Sequence, residues 1–302
     1  MFVKFELIII RYGEIALKSN YIRKKFESIL IKNIRTILNK EKIKNKIERE
    51  RGRIYLYTDQ IDRSLIILKR IFGIVNFSPS TKTNSDIKSI SEKAVNLSDD
   101  YLNKKMSFAV RTNRTGDHNY TSQDVSVKIG KKIQENTGCS VDLTNPDFEL
   151  FIDIREENAY LFKEKINGPG GMPVGSQDKV LCFIDNIYSI LACFYILRRG
   201  CKPLFFVKKD FDISLLNSFV KRWYIDSEKF VYSENNNFYS ELNKKVSEKE
   251  CKAVVTGFFN LKNDFPKIKE FKKNIDVPVL HPLISFDENN LERKIEEIGV
   301  FK

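Results

Sequence analysis

The sequence predicts an α+β N-terminal half followed by an α/β domain with a parallel sheet, and three observations carry that expectation. Short β-prone runs and helical patterns mix irregularly up to residue 166. A Gly/Pro cluster, Asn167 to Asp178 (NGPGGMPVGSQD), is the strongest breaker in the chain, and beyond it the pattern settles into strand, helix, strand. With 302 residues the chain is long enough for two or three domains. Its 42% hydrophobic and 30% charged residues place it among globular proteins, and only 13 Gly and 8 Pro exclude a collagen-like or linker-dominated chain.

Element by element, Phe5 to Ile10 reads as a strand. Ile22, Phe26, Ile29, Leu30, Ile34 and Ile37 then recur at helical spacing, with Lys24, Lys25, Lys32 and Arg35 largely between them. Arg53 to Tyr57 reads as a strand entered through Gly52. Asp59 reads as the cap of a second helix that ends near Ile71, and Gly73 stops it before the strand-like Ile74 to Phe77. A helix from Asp86 to about Asn103 and a strand at Ser107 to Arg111 follow, then a polar loop through Arg114, Gly116, His118 and Asn119. Thr121 and Asp124 form a capping-box pair that opens a helix to Thr137, ended by Gly138. Two strands, Phe148 to Ile154 and Ala159 to Lys165, close this part. Past the breaker, Val180 to Ile184, Ile187 to Arg199 and Pro203 to Val207 alternate strand, helix and strand. Ala253 to Thr256, Val277 to Leu280 and a helix through Leu291 to Ile298 continue the alternation.

Charge distinguishes the thirds of the chain. Residues 1–75 hold 18 Lys and Arg against 8 Asp and Glu, residues 76–170 hold 13 against 14, and residues 171–302 hold 21 against 18. A basic N-terminal third joined to near-neutral segments is the footprint of a polyanion-binding module. The apolar stretch from Val180 to Leu197 is interrupted by Asp185 and Asn186, so a buried strand, a turn and a helix account for it better than a membrane span. Five Cys form no CxxC pair, and no basic-then-apolar leader opens the chain; reduced thiols and a cytoplasmic location are the expectation. Two isolated His leave few options for zinc.

Four ordered motifs go further: Arg11-Tyr-Gly-Glu-Ile-Ala-Leu-Lys18, Leu68-Lys-Arg-Ile-Phe-Gly-Ile-Val75, Asp142-Leu-Thr-Asn-Pro-Asp147 and Gly168-Pro-Gly-Gly-Met-Pro-Val-Gly175. In that order and across essentially the whole chain, they resemble the tRNA 4-thiouridine synthases, or tRNA sulfurtransferases. The resemblance implies a ferredoxin-like domain over residues 1–75 and a THUMP RNA-binding domain over 76–166. It also implies a linker over 167–178 and a PP-loop adenylation-type domain, Rossmann-like, over 179–302. The implied substrate is uridine 8 of tRNA, the implied partners are tRNA and a second copy of the chain, and active relatives use ATP and Mg²⁺. On this basis Arg11, Lys18, Arg23, Lys24, Arg111, Arg114, Lys128 and Lys131 are the candidate phosphate contacts.

The adenylation half departs from the family pattern. Active members carry Ser-Gly-Gly-x-Asp-Ser where the first strand meets its helix, because glycines let backbone N–H groups approach a phosphate at the helix N-terminus. Here the stretch is Ile184-Asp-Asn-Ile-Tyr-Ser189, with no glycine between Gly175 and Gly200. Asp185 and Asn186 replace the glycines and Ser189 keeps the last serine. The insertion that usually holds a sulfur-carrying cysteine is short here and has none from Lys208 to Glu250; Cys251 comes next, just before the strand at Ala253. After Val255-Thr-Gly257, Phe258 and Phe259 stand where polar nucleotide-site residues are usual. The expectation is a tRNA-binding protein with a degenerate adenylation loop, no bound cofactor and no catalytic residue of its own, served by a separate catalytic or sulfur-donor protein. Two alternatives stay open: an active sulfurtransferase with a non-standard loop, and a sulfur-relay protein of thiamine thiazole synthesis, which needs a reactive thiol.

Overall fold

The computed structural model describes residues 5–50, 52–232 and 237–300. From the N-terminus run β1 (Leu7–Arg11), a 3₁₀ turn (Glu14–Leu17), α1 (Asn20–Lys40), β2 (Lys46–Glu50), β3 (Arg53–Tyr57), α2 (Ile61–Leu68) and β4 (Asn76–Asn84). Then come α3 (Ile87–Asp99), β5 (Ser107–Thr115), α4 (Ser122–Thr137), β6 (Ser140–Val141), β7 (Phe148–Arg155), β8 (Asn158–Phe162) and β9 (Ile166–Asn167). The last part holds β10 (Lys179–Ile184), α5 (Ile187–Arg198), β11 (Lys202–Lys208), α6 (Ile213–Arg222) and β12 (Lys229–Tyr232). It continues with α7 (Phe238–Glu248), β13 (Val254–Val255), α8 (Leu261–Asn274), β14 (Val279–Leu280) and α9 (Glu288–Ile298). Spatially the chain forms two compact units. One gathers the residues up to Arg11 with Leu38–Ile67 and Asn76–Asn167, and the other gathers Tyr12–Ile37, Leu68–Val75 and the residues from Gly168 onward.

The first unit is built on one sheet of order β2-β3-β1-β4-β8-β7-β5-β6, with β9 also on β4. Its N-terminal portion has the ferredoxin-like order β4-β1-β3-β2, every pairing antiparallel. β4 serves both portions, pairing with β1 through Asn76–Ser80 and with β8 through Thr81–Asn84. Beyond β8 the second portion of the sheet mixes an antiparallel β7-β8 pair with parallel β5-β7 and β5-β6 pairs. Apolar stripes on α3 (Ile90, Ala94, Leu97) and α4 (Val125, Ile129, Ile133) bury against Phe108, Leu150, Ile152, Ile154 and Leu161 of the sheet. Thr121 and Asp124 close the capping box at the start of α4, and Gly138 ends the helix at φ 71°. A second core forms where Leu7, Ile9, Tyr55, Tyr160 and Phe162 meet, with the Tyr55 and Tyr160 rings stacked at 4.7 Å. The entry turn of α2 is made by Thr58, whose Oγ1 accepts the Gln60 N–H at 3.2 Å, rather than by Asp59.

In the second unit the sheet is parallel, in the order β12-β11-β10-β13-β14. Val180 to Ile184 of β10 are buried on both faces, as a central parallel strand requires. On one side Val180, Cys182 and Ile184 meet α5, α6 and α9; on the other Leu181 and Phe183 meet the apolar side of α7 and α8. The chain reverses its lateral direction between β10 and β13, which makes the crevice beyond their carboxyl ends the topological switch point of the sheet. The apolar stretch from Val180 to Leu197 is therefore a strand, a turn and a helix, and no helix among the described residues is long and apolar enough to cross a membrane.

The Gly/Pro segment after residue 167 is docked along its length. Gly168 N–H donates to Val75 O at 2.9 Å, Gly170 N–H to Ile74 O at 2.8 Å, Met172 N–H to Arg198 O at 2.8 Å and Gly175 N–H to Gly200 O at 2.9 Å. Gly171 sits at φ +72°, where a Cβ would lie 2.2 Å from Arg198 O, so close backbone approach requires glycine there.

Candidate functional site

At the switch point the fold brings together Asp185, Asn186 and Ser189, at the junction of β10 and α5. Asn186, the last residue before α5, caps the helix: its Oδ1 accepts the Ser189 N–H at 3.1 Å. Ser189 Oγ donates to Asp185 Oδ1 at 2.7 Å, and Asn186 Nδ2 donates to the same oxygen at 3.0 Å. Burial pushes the Asp185 carboxyl up, opposed by the Ser189 hydrogen bond and by the positive charges of Lys267 and Lys208. From β13, Thr256 and Gly257 close the other wall. A Cβ on Gly257 would stand 2.4 Å from Ser189 N, so the two loops touch backbone to backbone.

The rest of the crevice is held by packing and local hydrogen bonds. Thr256 Oγ1 and His281 Nδ1 lie 2.7 Å apart, and burial lowers the His281 pKa. Phe258 is buried against Phe271 and lies over His281, while the Phe259 ring meets Tyr188 at 4.6 Å. Both aromatics after Gly257 are thus engaged in packing. Asp264 accepts the Phe259 and Asn260 N–H groups at 3.0 and 2.9 Å, fixing the start of α8.

An adenylation site needs free N–H groups at the helix N-terminus and positive charge beside the phosphates. Here the Ser189 N–H is taken by Asn186, the Ser189 hydroxyl by Asp185, and the nearest acid is a carboxylate that would face phosphate with like charge. Gly257 approaches Ser189 closely enough that a side chain there would collide with the first turn of α5. These residues do not fit a nucleoside triphosphate in that position. Lys208 and Lys267 are the cations sequence reasoning missed. Lys208 could have been read from the end of an apolar strand beside Asp185, whereas Lys267 lies on α8, a helix the hydrophobic pattern does not announce.

None of the thiols is placed as a nucleophile. Cys139, Cys182, Cys193 and Cys251 are buried and Cys201 half-buried. A hydrogen bond with Cys193, then burial, raises the Cys182 thiol; burial raises Cys201 and pushes Cys251 up to about 11. Among the described residues no group of three His, Cys, Asp or Glu could hold a metal ion.

The eight candidate phosphate contacts divide sharply. Arg11 is not presented as one: its guanidinium lies over the Phe162 ring at 4.6 Å and donates to Asn76 Oδ1 at 3.2 Å and Ser78 Oγ at 2.9 Å. Burial, then Arg53, lowers its pKa to about 10. Its neighbours Arg53 and Arg155 share the buried carboxylate of Asp153 at 3.1 and 3.0 Å. Arg111 is bound to Glu149 Oε1 at 2.8 Å and Leu143 O at 2.7 Å. Arg114 holds the loop through Gly116 O at 2.9 Å and His118 Nδ1 at 3.3 Å, and His118 Nε2 lies 2.7 Å from Glu156 O. Arg23 bonds Asn20 and lies 3.8 Å from Glu27. Lys18, Lys24, Lys128 and Lys131 are exposed, the last 3.9 Å from Glu135. In space, Lys18, Arg23 and Lys24 belong to the second unit, and Lys128 and Lys131 share α4 in the first.

Comparison with known proteins extends this geometry. The ThiI ferredoxin-like domain matches residues 7–78 and the THUMP domain matches residues 84–164. A protein of Methanocaldococcus jannaschii described as "Probable tRNA sulfurtransferase" is 36% identical over 98% of this chain and 88% of its own length. One of the same description from Methanobrevibacter smithii is 30% identical over 99% and 88%. The crystal structure of PH1313 from Pyrococcus horikoshii Ot3 superposes with a TM-score of 0.84 at 30% identity, covering 97% of this chain and 99% of that one. A 4-thiouridine synthetase–RNA complex with bound ATP shares the fold at a TM-score of 0.81 and 24% identity, over 98% and 86% of the two chains. With ferredoxin-like and THUMP domains in order, a parallel α/β domain after them and near full-length similarity, the chain belongs to the tRNA sulfurtransferase family.

Proposed function

We propose that this protein binds tRNA through its ferredoxin-like and THUMP domains, residues 1–75 and 76–166, and does not itself carry out ATP-dependent sulfur transfer. In family members the product is 4-thiouridine at position 8 of tRNA. The observation that carries the reading is the closed loop at the switch point, where Asn186, Asp185 and Ser189 satisfy one another in the space of a phosphate cradle. Four thiols are buried and Cys201 is half-buried, and Cys182, Cys201 and Cys251 are pushed away from thiolate character, which supports the same reading and disfavours sulfur relay. The domain from residue 179 onward then acts as scaffold, as a contact for a second copy of the chain, or as the docking surface for a protein that supplies adenylation or sulfur.

Binding is to be measured by fluorescence anisotropy of labelled tRNA across salt concentrations. Lys18→Glu with Lys24→Glu, and separately Lys128→Glu with Lys131→Glu, should weaken binding and flatten the salt slope by roughly 0.7–0.9 for each phosphate left unneutralised. An unchanged slope in both pairs overturns the assignment of these lysines. Calorimetry with ATP and Mg²⁺, with and without tRNA, should show no binding heat. Formation of 4-thiouridine by the purified protein with ATP, Mg²⁺, tRNA and sulfide would show that an unorthodox loop works.

A further inference from the structure

A cavity of about 380 Å³ opens in the second unit, at the end of the parallel sheet opposite the switch point. Lys202 begins β11 and Asp226 precedes β12, so the cavity lies at the amino ends of those strands. Its volume falls within the ~300–1,000 Å³ of small-molecule sites. Three cations line it from three elements: Lys32 of α1, Arg70 after α2 and Lys202 of β11. Among the described residues none of the three side chains makes an ion pair or hydrogen bond, and Asp226 is the one carboxylate of the lining. Lys202 also acts on the Glu228 carboxylate, yet like charges along one lining repel, and an anion among them would relieve that repulsion.

The wall beside these cations is aromatic and is built at some conformational cost. Trp223 caps α6, its Nε1 donating to Ile298 O at 3.0 Å and its ring stacked on Phe72 at 5.1 Å, which fixes it rigidly. Tyr224 follows in the left-handed region at φ 53°, and Ile225 N–H reaches back to Val220 O at 2.9 Å. That is the position of a helix end where glycine sits without steric cost. A tyrosine there keeps a ring on the cavity wall that glycine could not supply.

We propose that this cavity is a binding site for a small aromatic anion, a planar ring carrying one phosphate of the nucleoside monophosphate class. Arg70, Lys32 and Lys202 receive the phosphate and Tyr224 and Trp223 flank the ring, while Asp226 offers an acceptor to a ring N–H. The site is separate from the switch-point crevice and does not depend on whether ATP binds there.

Trp223 is the only tryptophan in the chain, so its fluorescence reports occupancy directly. Titration of the full chain with adenosine 5′-monophosphate should change that emission saturably. Inorganic phosphate should compete without the same change, and adenosine should bind at least tenfold more weakly. Arg70→Gln with Lys202→Gln should weaken the nucleotide at least tenfold. Tyr224→Gly, which relieves the backbone, should weaken it several-fold with no fall in melting temperature. Lys267→Gln, at the other end of the sheet, should leave binding unchanged. No saturable change at millimolar nucleotide, wild-type binding in the Arg70/Lys202 variant, or loss of binding in Lys267→Gln overturns the proposal.

Discussion

Replacing Gly257 by alanine tests directly how the switch-point crevice is closed. The new Cβ would stand 2.4 Å from Ser189 N, 2.7 Å from Ser189 Cα and 2.8 Å from Ser189 Oγ, all inside van der Waals contact. Ser189 lies in the first turn of α5, whose Ser189 to Cys193 are buried, so the helix cannot step back without disturbing the core. Overpacking of this kind costs about 1–3 kcal/mol. Displacing the Ser189 N–H from its Asn186 cap costs about 1 kcal/mol more. The sum, ~2–4 kcal/mol, corresponds to a fall in Tm of ~4–16 °C at ~2–4 °C per kcal/mol for a unit of this size. Gly175→Ala is the comparison: Gly175 sits at φ +86° with nothing within 4 Å of a Cβ, so it loses only the ~1–2 kcal/mol of a left-handed residue. Thermal unfolding followed by circular dichroism measures both. A Gly257→Ala protein that melts within about 2 °C of wild type would refute the backbone contact and reopen the crevice to a phosphate.

Other substitutions probe the buried charges and the helices. Arg11→Gln should leave the salt slope of tRNA binding unchanged while destabilising the fold by about 1–3 kcal/mol, because it removes the hydrogen bonds to Asn76 and Ser78 and the packing on Phe162, read by urea unfolding. Burial raises the folded-state pKa of Asp185, so its contribution to stability is full below the unfolded pKa and lost as pH rises through the folded one. Asp185→Asn, which can still accept from Ser189, should therefore be at least as stable as wild type at pH 7, with the difference shrinking at pH 4. Gly130 lies inside α4 with open space around a Cβ, so Gly130→Ala should stabilise by about 0.5–1 kcal/mol in the same urea assay.

Most helices and strands of this chain can be read from periodicity and capping residues, and those that cannot share a physical cause. β2 reads Lys-Ile-Glu-Arg-Glu and sits at the sheet edge largely exposed, so it carries no alternating apolar signal; its pairing with β3 makes it a strand. α8 contains Pro266 and only one buried side chain, Phe271, so neither propensity nor pattern marks it as a helix. α6, β12 and α7 fill a stretch where the sequence shows only mixed polarity, and their order comes from docking Leu216, Phe219, Tyr232, Leu242 and Val246 into the two cores.

At the switch point the residues were legible but their arrangement was not. The absence of glycine from Ile184 to Ser189 is visible in the chain itself, because backbone approach to phosphate depends on residue type alone. That Asp185, Asn186 and Ser189 bond one another, and that Gly257 comes up against Ser189 from beyond β13, depends on the fold.

The sequence by itself determined the two-part architecture, the buried parallel strand from Val180 to Ile184, the capping box of Thr121 and Asp124, and the absence of glycine from Ile184 to Ser189. Each is written within a few neighbouring residues, where helix and strand periods and cap chemistry act. Only the tertiary structure decided which cations face outward. Arg53 finds Asp153 from 100 residues away, Arg111 finds Glu149 from 38, and Arg11 reaches Asn76 from 65. A side chain's charge is a property of its residue type, but its burial and its partner belong to contacts between distant segments, which only the folded chain brings together.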